Sequence, residues 1–179
     1  MWKLLYLLSK VFSYLPYFIF KFIWRVLDVF EGNVGAILRY ILIAGRLKKC
    51  GKMVFWGSRV YVENPEELSL GDNVSIHHQC TLICLGGIEI GNFVAIAHNT
   101  SIVSTNHTWG NELIAIKYNP LDKKKTVIED DVWIGCGVRI LSGSTIPQRS
   151  IIAAGAVVSK QLTSNGIYGG IPAKLIKKV

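Results

Sequence analysis

Residues 128–160 read IEDDVWIGCGVRILSGSTIPQRSIIAAGAVVSK. Ile128, Ile134, Ile140, Ile146, Ile152 and Val158 stand six positions apart within them. Working backwards, the same period runs through Ile90, Ile96 and Ile102 and, across a two-residue slip, through Leu70, Ile76 and Leu82. Four positions after each aliphatic sits a small or β-branched residue in most hexads: Val74, Cys80, Val94, Thr100, Val132, Val138, Ser144, Ser150 and Ala156. Gly71, Gly91 and Gly135 follow their aliphatics directly. A helix would repeat every ~3.6 residues, and an ordinary strand would alternate without turning every six. The period calls for a coil of short strands with a tight turn after each. The aliphatic points inward and the small residue fills the corner. Stacked coils then satisfy one another's amide groups.

The chain has 179 residues, half of them hydrophobic and only 18% charged, with a mean hydropathy of +0.35. So much apolar mass excludes a disordered chain. Cys50, Cys80, Cys84 and Cys136 are too few for a disulfide framework and lack paired CxxC spacing, which reads as reduced thiols in a cytoplasmic protein. Twenty Lys and Arg against twelve Asp and Glu leave a net charge of +8, which asks for an anionic partner. Nucleic acid is not expected, because the basic residues fall in three separate places and no recognition motif is present.

Residues 1–50 form an apolar, amphipathic helical segment in this reading. Lys10, Tyr14, Tyr17, Lys21, Arg25 and Asp28 recur at steps of three and four, a narrow polar stripe on a broad apolar helix. A second helix is predicted from Gly35 to Lys49, with Arg39, Arg46, Lys48 and Lys49 beside Ile37, Leu38, Ile41, Leu42 and Ile43. The longest uncharged run, Val11 to Phe20, is ten residues and contains Pro16, too short for a span of about 20 apolar residues. No A-x-A-like site follows, so a cleaved signal is not expected. The helices either pack within the protein or lie on an anionic cytoplasmic leaflet as a peripheral contact.

From about residue 54 the chain resembles the hexapeptide-repeat acyltransferases. The resemblance implies a left-handed parallel β-helix over residues 54–165, three hexads to a coil, then a basic tail over 166–179. The period fails between Ile102 and Ile128, where one or more hexads give way to an excursion loop over about 104–126. Loops that break a solenoid usually carry its function. This one opens with Ser104-Thr105-Asn106-His107-Thr108-Trp109-Gly110 and is similar to the loop of the galactoside and maltose acetyltransferases. In that family a histidine at this place is the general base, which assigns catalysis to His107. Asn106 and Trp109 are then acceptor contacts, Trp109 offering a stacking face for a sugar. His77 falls where the galactoside-type enzymes have an asparagine near the acceptor, and Glu63 and Leu85 also replace polar acceptor contacts. His78 and His98 hold equivalent places one coil apart and should stack. No histidine follows His107, so the zinc pattern of γ-class carbonic anhydrases is incomplete and no metal is expected.

The C-terminal segments Val132-Trp133-Ile134-Gly135, Gly155-Ala156-Val157-Val158-Ser159-Lys160 and Gly170-Ile171-Pro172-Ala173-Lys174 resemble those that bind acetyl-CoA in this family. The resemblance assigns donor contacts to Cys136, Ala154, Ser159, Lys160, Lys174 and Lys177. Lysine point charges suit a polyphosphate, and small residues let a thin pantetheine arm lie along the coil. Nothing in the sequence gives Cys136 a base partner, so a covalent role for it is not expected. The expected activity is O-acetyl transfer from acetyl-CoA to a saccharide, in polysaccharide or O-antigen-type synthesis, by a homotrimer. A small soluble acceptor is the alternative, and a non-catalytic β-helix scaffold the competitor from another class.

Overall fold

The computed structural model describes residues 2–179, and Met1 of the segment read as 1–50 lies outside the described residues. The period builds a mainly β prism with three parallel faces. The first face holds Lys49–Cys50, Leu68–Leu70, Ile88–Ile90, Thr126–Ile128 and Thr145–Ile146. The second holds Phe55–Trp56, Ser75–Ile76, Ala95–Ile96, Trp133–Ile134, Ile151–Ile152 and Ile167–Gly169, with Lys174–Lys177 antiparallel at its end. The third holds Tyr61–Glu63, Thr81–Ile83, Ser101–Val103, Arg139–Ile140 and Val157–Val158. This is the expected parallel β-helix. Leu70, Ile90, Ile128 and Ile146 stack in one row. Ile76, Ile96, Ile134 and Ile152 form the second, and Leu82, Ile102, Ile140 and Val158 the third. All twelve are buried, so the three rows are the core.

Each corner turns through one residue three places after its aliphatic: Asn73, Gln79, Phe93, Asn99, Asp131, Gly137, Gly143, Arg149 or Gly155, with φ of 56 to 80°. The next residue is the small one, and it is buried. Gly135 has no side chain because the next coil passes too close. A Cβ there would lie 2.6 Å from the Ala154 backbone nitrogen.

Coil length differs from the expected three hexads at the N-terminal end. Val62, Leu82 and Ile102 pair at intervals of twenty residues, while Ile140 and Val158 pair at eighteen. The surplus sits at the corner from the third face to the first, which carries the turns Asn64–Glu67 and Cys84–Gly87. The excursion occupies this same corner. Ile102 belongs to one third-face strand and Ile128 to the next first-face strand, so the loop is an insertion and replaces no hexad.

The helical segment also departs from the stripe. α1 (Trp2–Phe12) and α2 (Tyr17–Val26) are separate helices, broken at Pro16, which lacks an N–H and pushes the residue before it out of helical geometry. α3 spans Gly32–Ile43, and Lys49, expected in a helix, begins the first solenoid strand. α3 closes the open end of the prism. Tyr40, Leu42 and Ile43 are buried against the first coil, whose inward residue is Trp56. Arg39, read as one of several cations beside an apolar surface, is instead 1% exposed. Its Nε donates to the Trp56 carbonyl at 2.9 Å, and its Nη1 to those of Leu27 and Phe30 at 2.7 and 2.9 Å. The Trp24 indole donates to the Val60 carbonyl at 2.8 Å, tying α2 to the same coil. At the other end, residues 166–179 are more than a tail, since Ile167–Gly169 and Lys174–Lys177 extend the second face.

Candidate active site

The excursion leaves the coil through Ser104, which is fully buried. Its hydroxyl donates to the Ile83 carbonyl and accepts from the Gly86 amide, both at 2.9 Å. Thr126 closes the loop by donating its hydroxyl to the Val103 carbonyl at 2.8 Å. Between these anchors Thr105–His107 pairs antiparallel with Leu121–Lys123, placing His107 opposite Leu121. Beyond the hairpin, buried Asn119 accepts from the Asn111 amide at 3.0 Å and donates to the Asn111 carbonyl at 3.2 Å. The loop is thus an ordered hairpin with a stapled tip. His107, Asn106 and Trp109 all project from it exposed, Trp109 by 73%. Lys124 and Lys125 of its basic run pair with Asp122 and Glu89, at 2.6 and 2.8 Å.

A second group gathers at the corner from the second face to the third. Two positions after the inward residues Trp56, Ile76, Ile96, Ile134 and Ile152 stand Ser58, His78, His98, Cys136 and Ala154 in one column. The His78 and His98 rings stack at 5.1 Å and 7°, as their hexad positions predict. Beside them runs a second column, Gly57, His77, Ala97, Gly135 and Ala153. Below His77 it is Ala and Gly, so this edge carries a shallow groove of small residues. Hexad position, two after each aliphatic, is the signal that joins Cys136 and Ala154 to the histidines.

His77 borders a cleft of about 300 Å³ with Phe55, Arg59, Gln79 and Glu31. Its ring lies 5.7 Å from that of Phe55. Burial, and then the proximity of His78 and His98, hold the His77 imidazole below its ordinary pKa, so it is neutral at neutral pH. Glu31 carried no sequence signal, because only the packing of the helical cap brings it to this edge. Among the described residues no cluster of three or more His, Cys, Asp and Glu is arranged to hold a metal ion.

A single chain therefore divides the expected site residues. His107, Asn106 and Trp109 lie at the edge between the third and first faces, and Ser159 and Lys160 follow the last third-face strand towards that same edge. His77, Cys136 and Ala154 lie at the other edge of the third face. The third-face strand Ser101–Val103 lies between these two edges. Lys174 and Lys177 sit exposed on the terminal strand of the second face, opposite Gly169 and Ile167.

Comparison with known proteins bears on the fold. Residues 125–160 match the family model described as bacterial transferase hexapeptide (six repeats). The chain is 31% identical over 129 residues to the galactoside O-acetyltransferase of Escherichia coli K12, a match covering 69% of this chain and 63% of that protein. The maltose O-acetyltransferase of Clostridium difficile 630 has a similar structure, with TM-score 0.80 and 26% identity over 90% of this chain and 84% of that one. A hexapeptide-repeat acetyltransferase of Vibrio cholerae, solved with acetyl-coenzyme A, gives TM-score 0.76 and 26% identity over 87% and 82% of the two chains. The chain spans about three fifths of the length of the curated relatives it matches.

Proposed function

We propose that this chain, which belongs to the hexapeptide-repeat family, is an acetyl-CoA-dependent O-acetyltransferase that modifies a saccharide in polysaccharide or O-antigen-type glycan assembly. The observation that carries the reading is the break in the coil. A regular solenoid is interrupted once, and the insertion is an ordered hairpin presenting an exposed imidazole at a prism edge. Beside His107 on that hairpin, Asn106 is polar and exposed, as an acceptor contact requires.

In the proposed reaction the acceptor hydroxyl loses its proton to His107 as its oxygen attacks the thioester carbonyl carbon. Charge develops on the carbonyl oxygen, where a backbone N–H lining the groove stabilises it. The C–S bond breaks as the carbonyl re-forms, and the thiolate of CoA recovers the proton from the imidazolium. No acyl-enzyme forms. Neutral His77, beside Phe55, supplies a polar contact to the acceptor. The small residues around Cys136 and Ala154 leave room for the pantetheine arm, and Ser159, Lys160, Lys174 and Lys177 meet the CoA phosphates.

The split between two edges is reconciled by a homotrimer in which the His107 edge of one protomer faces the groove edge of the next. Supporting this, outward residues of the second face are Phe55, Ser75, Ala95, Trp133, Ile151 and Ile167, apolar but for Ser75, whereas those of the first are Lys49, Ser69, Glu89, Val127 and Thr145. Trp133 is 56% exposed in the single chain and needs cover. All four cysteines are free, in keeping with a cytoplasmic place of work.

The test is thiol release from acetyl-CoA with a panel of free sugars, amino sugars and glycan fragments. A saccharide acceptor is expected, and His107→Ala should lower its turnover by about 10²- to 10⁴-fold while CoA affinity stays unchanged. Near-normal turnover in that variant removes His107 as the base. No release with any acceptor, together with no CoA binding by calorimetry, leaves the scaffold reading.

A further inference from the structure

α1 and α2 each carry one face onto the protein and turn another away. In α1, Leu5, Tyr6 and Ser9 pack inward, while Leu4, Leu7, Leu8 and Val11 are exposed at the three- and four-residue spacing of one helical face. In α2, Phe20, Ile23 and Trp24 pack inward, while Phe18, Phe22 and Val26 are exposed, Phe18 by 74% and Phe22 by 70%. Monomeric proteins rarely leave apolar helix faces of this kind uncovered. The charges of the same segment are all of one sign. Residues 2–27 contain Lys3, Lys10, Lys21 and Arg25, each exposed, and no Asp or Glu. Lys10 and Lys21 lie over the rings of Tyr6 and Tyr17, at 5.2 and 4.6 Å.

We propose that this helical layer docks on an anionic lipid bilayer, lying in its interface without crossing it. The helices have eleven and ten residues, so each is about 15 Å long, half the ~30 Å hydrocarbon core. No described helix is long and apolar enough to cross a membrane. Leucine and phenylalanine side chains enter the acyl boundary while the lysine and arginine stems reach back to the headgroups. Charge decides against a second copy as the occupant. A contact between two such faces sets four cations against four, with no carboxylate in either segment to offset them. An anionic headgroup layer supplies the missing charge. An apolar cleft of about 300 Å³ between α1, α3 and the first coil, lined by Trp2, Ala36, Ile37, Tyr40, Met53 and Phe55, offers room for part of an acyl chain.

This docking does not depend on the acyl-transfer reading, because the exposed residues of α1 and α2 have no place in the candidate site. The experiment is co-sedimentation of the full chain with vesicles of phosphatidylcholine alone and of phosphatidylcholine mixed equally with phosphatidylglycerol. Binding to the mixed vesicles is expected, weakening with salt, and at least about tenfold weaker binding to the neutral ones. Phe18→Ser with Phe22→Ser should abolish sedimentation. Lys10→Gln with Lys21→Gln should weaken it about 30-fold while keeping the apolar face intact. Both variants should retain wild-type thiol release with a soluble acceptor. Equal binding to both vesicle types, or none to the mixed ones, overturns the proposal. So does a wild-type assembly that light scattering shows to shrink in the Phe18/Phe22 variant, which would assign the face to a second copy.

Discussion

Asn99 shows how much of the prism rests on single backbone conformations. It turns the corner from second to third face at φ +62°, between the stacked His98 and buried Thr100. Its carbonyl accepts from Arg139 Nη1 at 2.7 Å, so the corner also sets the groove edge. Asn tolerates left-handed geometry, whereas Ala there costs about 1 kcal/mol. Asn99→Ala should therefore lower Tm by about 3 °C, and Asn99→Gly should leave it close to wild type. A calorimetric scan of the three proteins checks this. An alanine variant as stable as the glycine one would show that the corner does not depend on this conformation. His107 stands at the opposite extreme. It is exposed on a hairpin held from below by Ser104 and Thr126, so its replacement should leave stability unchanged while removing the proposed base.

Among the elements, α3 and the turn before it depend on one buried cation. Arg39 ties the Trp56, Leu27 and Phe30 carbonyls together, and burial depresses its pKa while Asp28 and Glu31 oppose that shift. Replacing it by Met leaves three carbonyls without this donor, that of Trp56 buried and those of Leu27 and Phe30 partly so. The expected loss is about 3 kcal/mol, read as a lower urea midpoint. The same variant should weaken acceptor binding more than donor binding, since Glu31 follows the turn that Arg39 holds and lines the cleft with His77. A urea midpoint equal to wild type would mean the helical cap is held by its apolar contacts alone.

For the whole molecule the decisive question is whether a site needs two chains. If it does, light scattering should give about three times the 19.9 kDa chain mass. Trp133→Glu should then lower both mass and activity. A sharper check mixes His107→Ala chains with chains whose groove is blocked by Ala154→Trp. Neither homotrimer has an intact site, but random mixed trimers restore about a quarter of wild-type activity if His107 of one chain serves the groove of the next. No recovery on mixing, or a fully active monomer, rules the shared site out.

The sequence by itself determined the solenoid. Ile128 to Val158 at six-residue spacing, with small residues four places on, admits no helix and no flat sheet, because only an equal-sided coil turns once per hexad and keeps every aliphatic inside. It also located the one break and the histidine within it, since an insertion shows wherever a strict period fails. Only the tertiary structure decided where the helical residues face. Arg39 and Arg46 are indistinguishable in a helical pattern, and it is the carbonyls of Trp56, Leu27 and Phe30, distant in sequence, that draw Arg39 inside. The excursion's 26-residue gap between Ile102 and Ile128 is likewise compatible with several coil counts, and strand register alone shows that no hexad was lost. His77 and His107 look like neighbours in one chain, yet they stand on different edges of the prism. A six-residue period fixes which residues point inward, but placing one edge against another requires contacts between residues far apart in the chain or in separate chains.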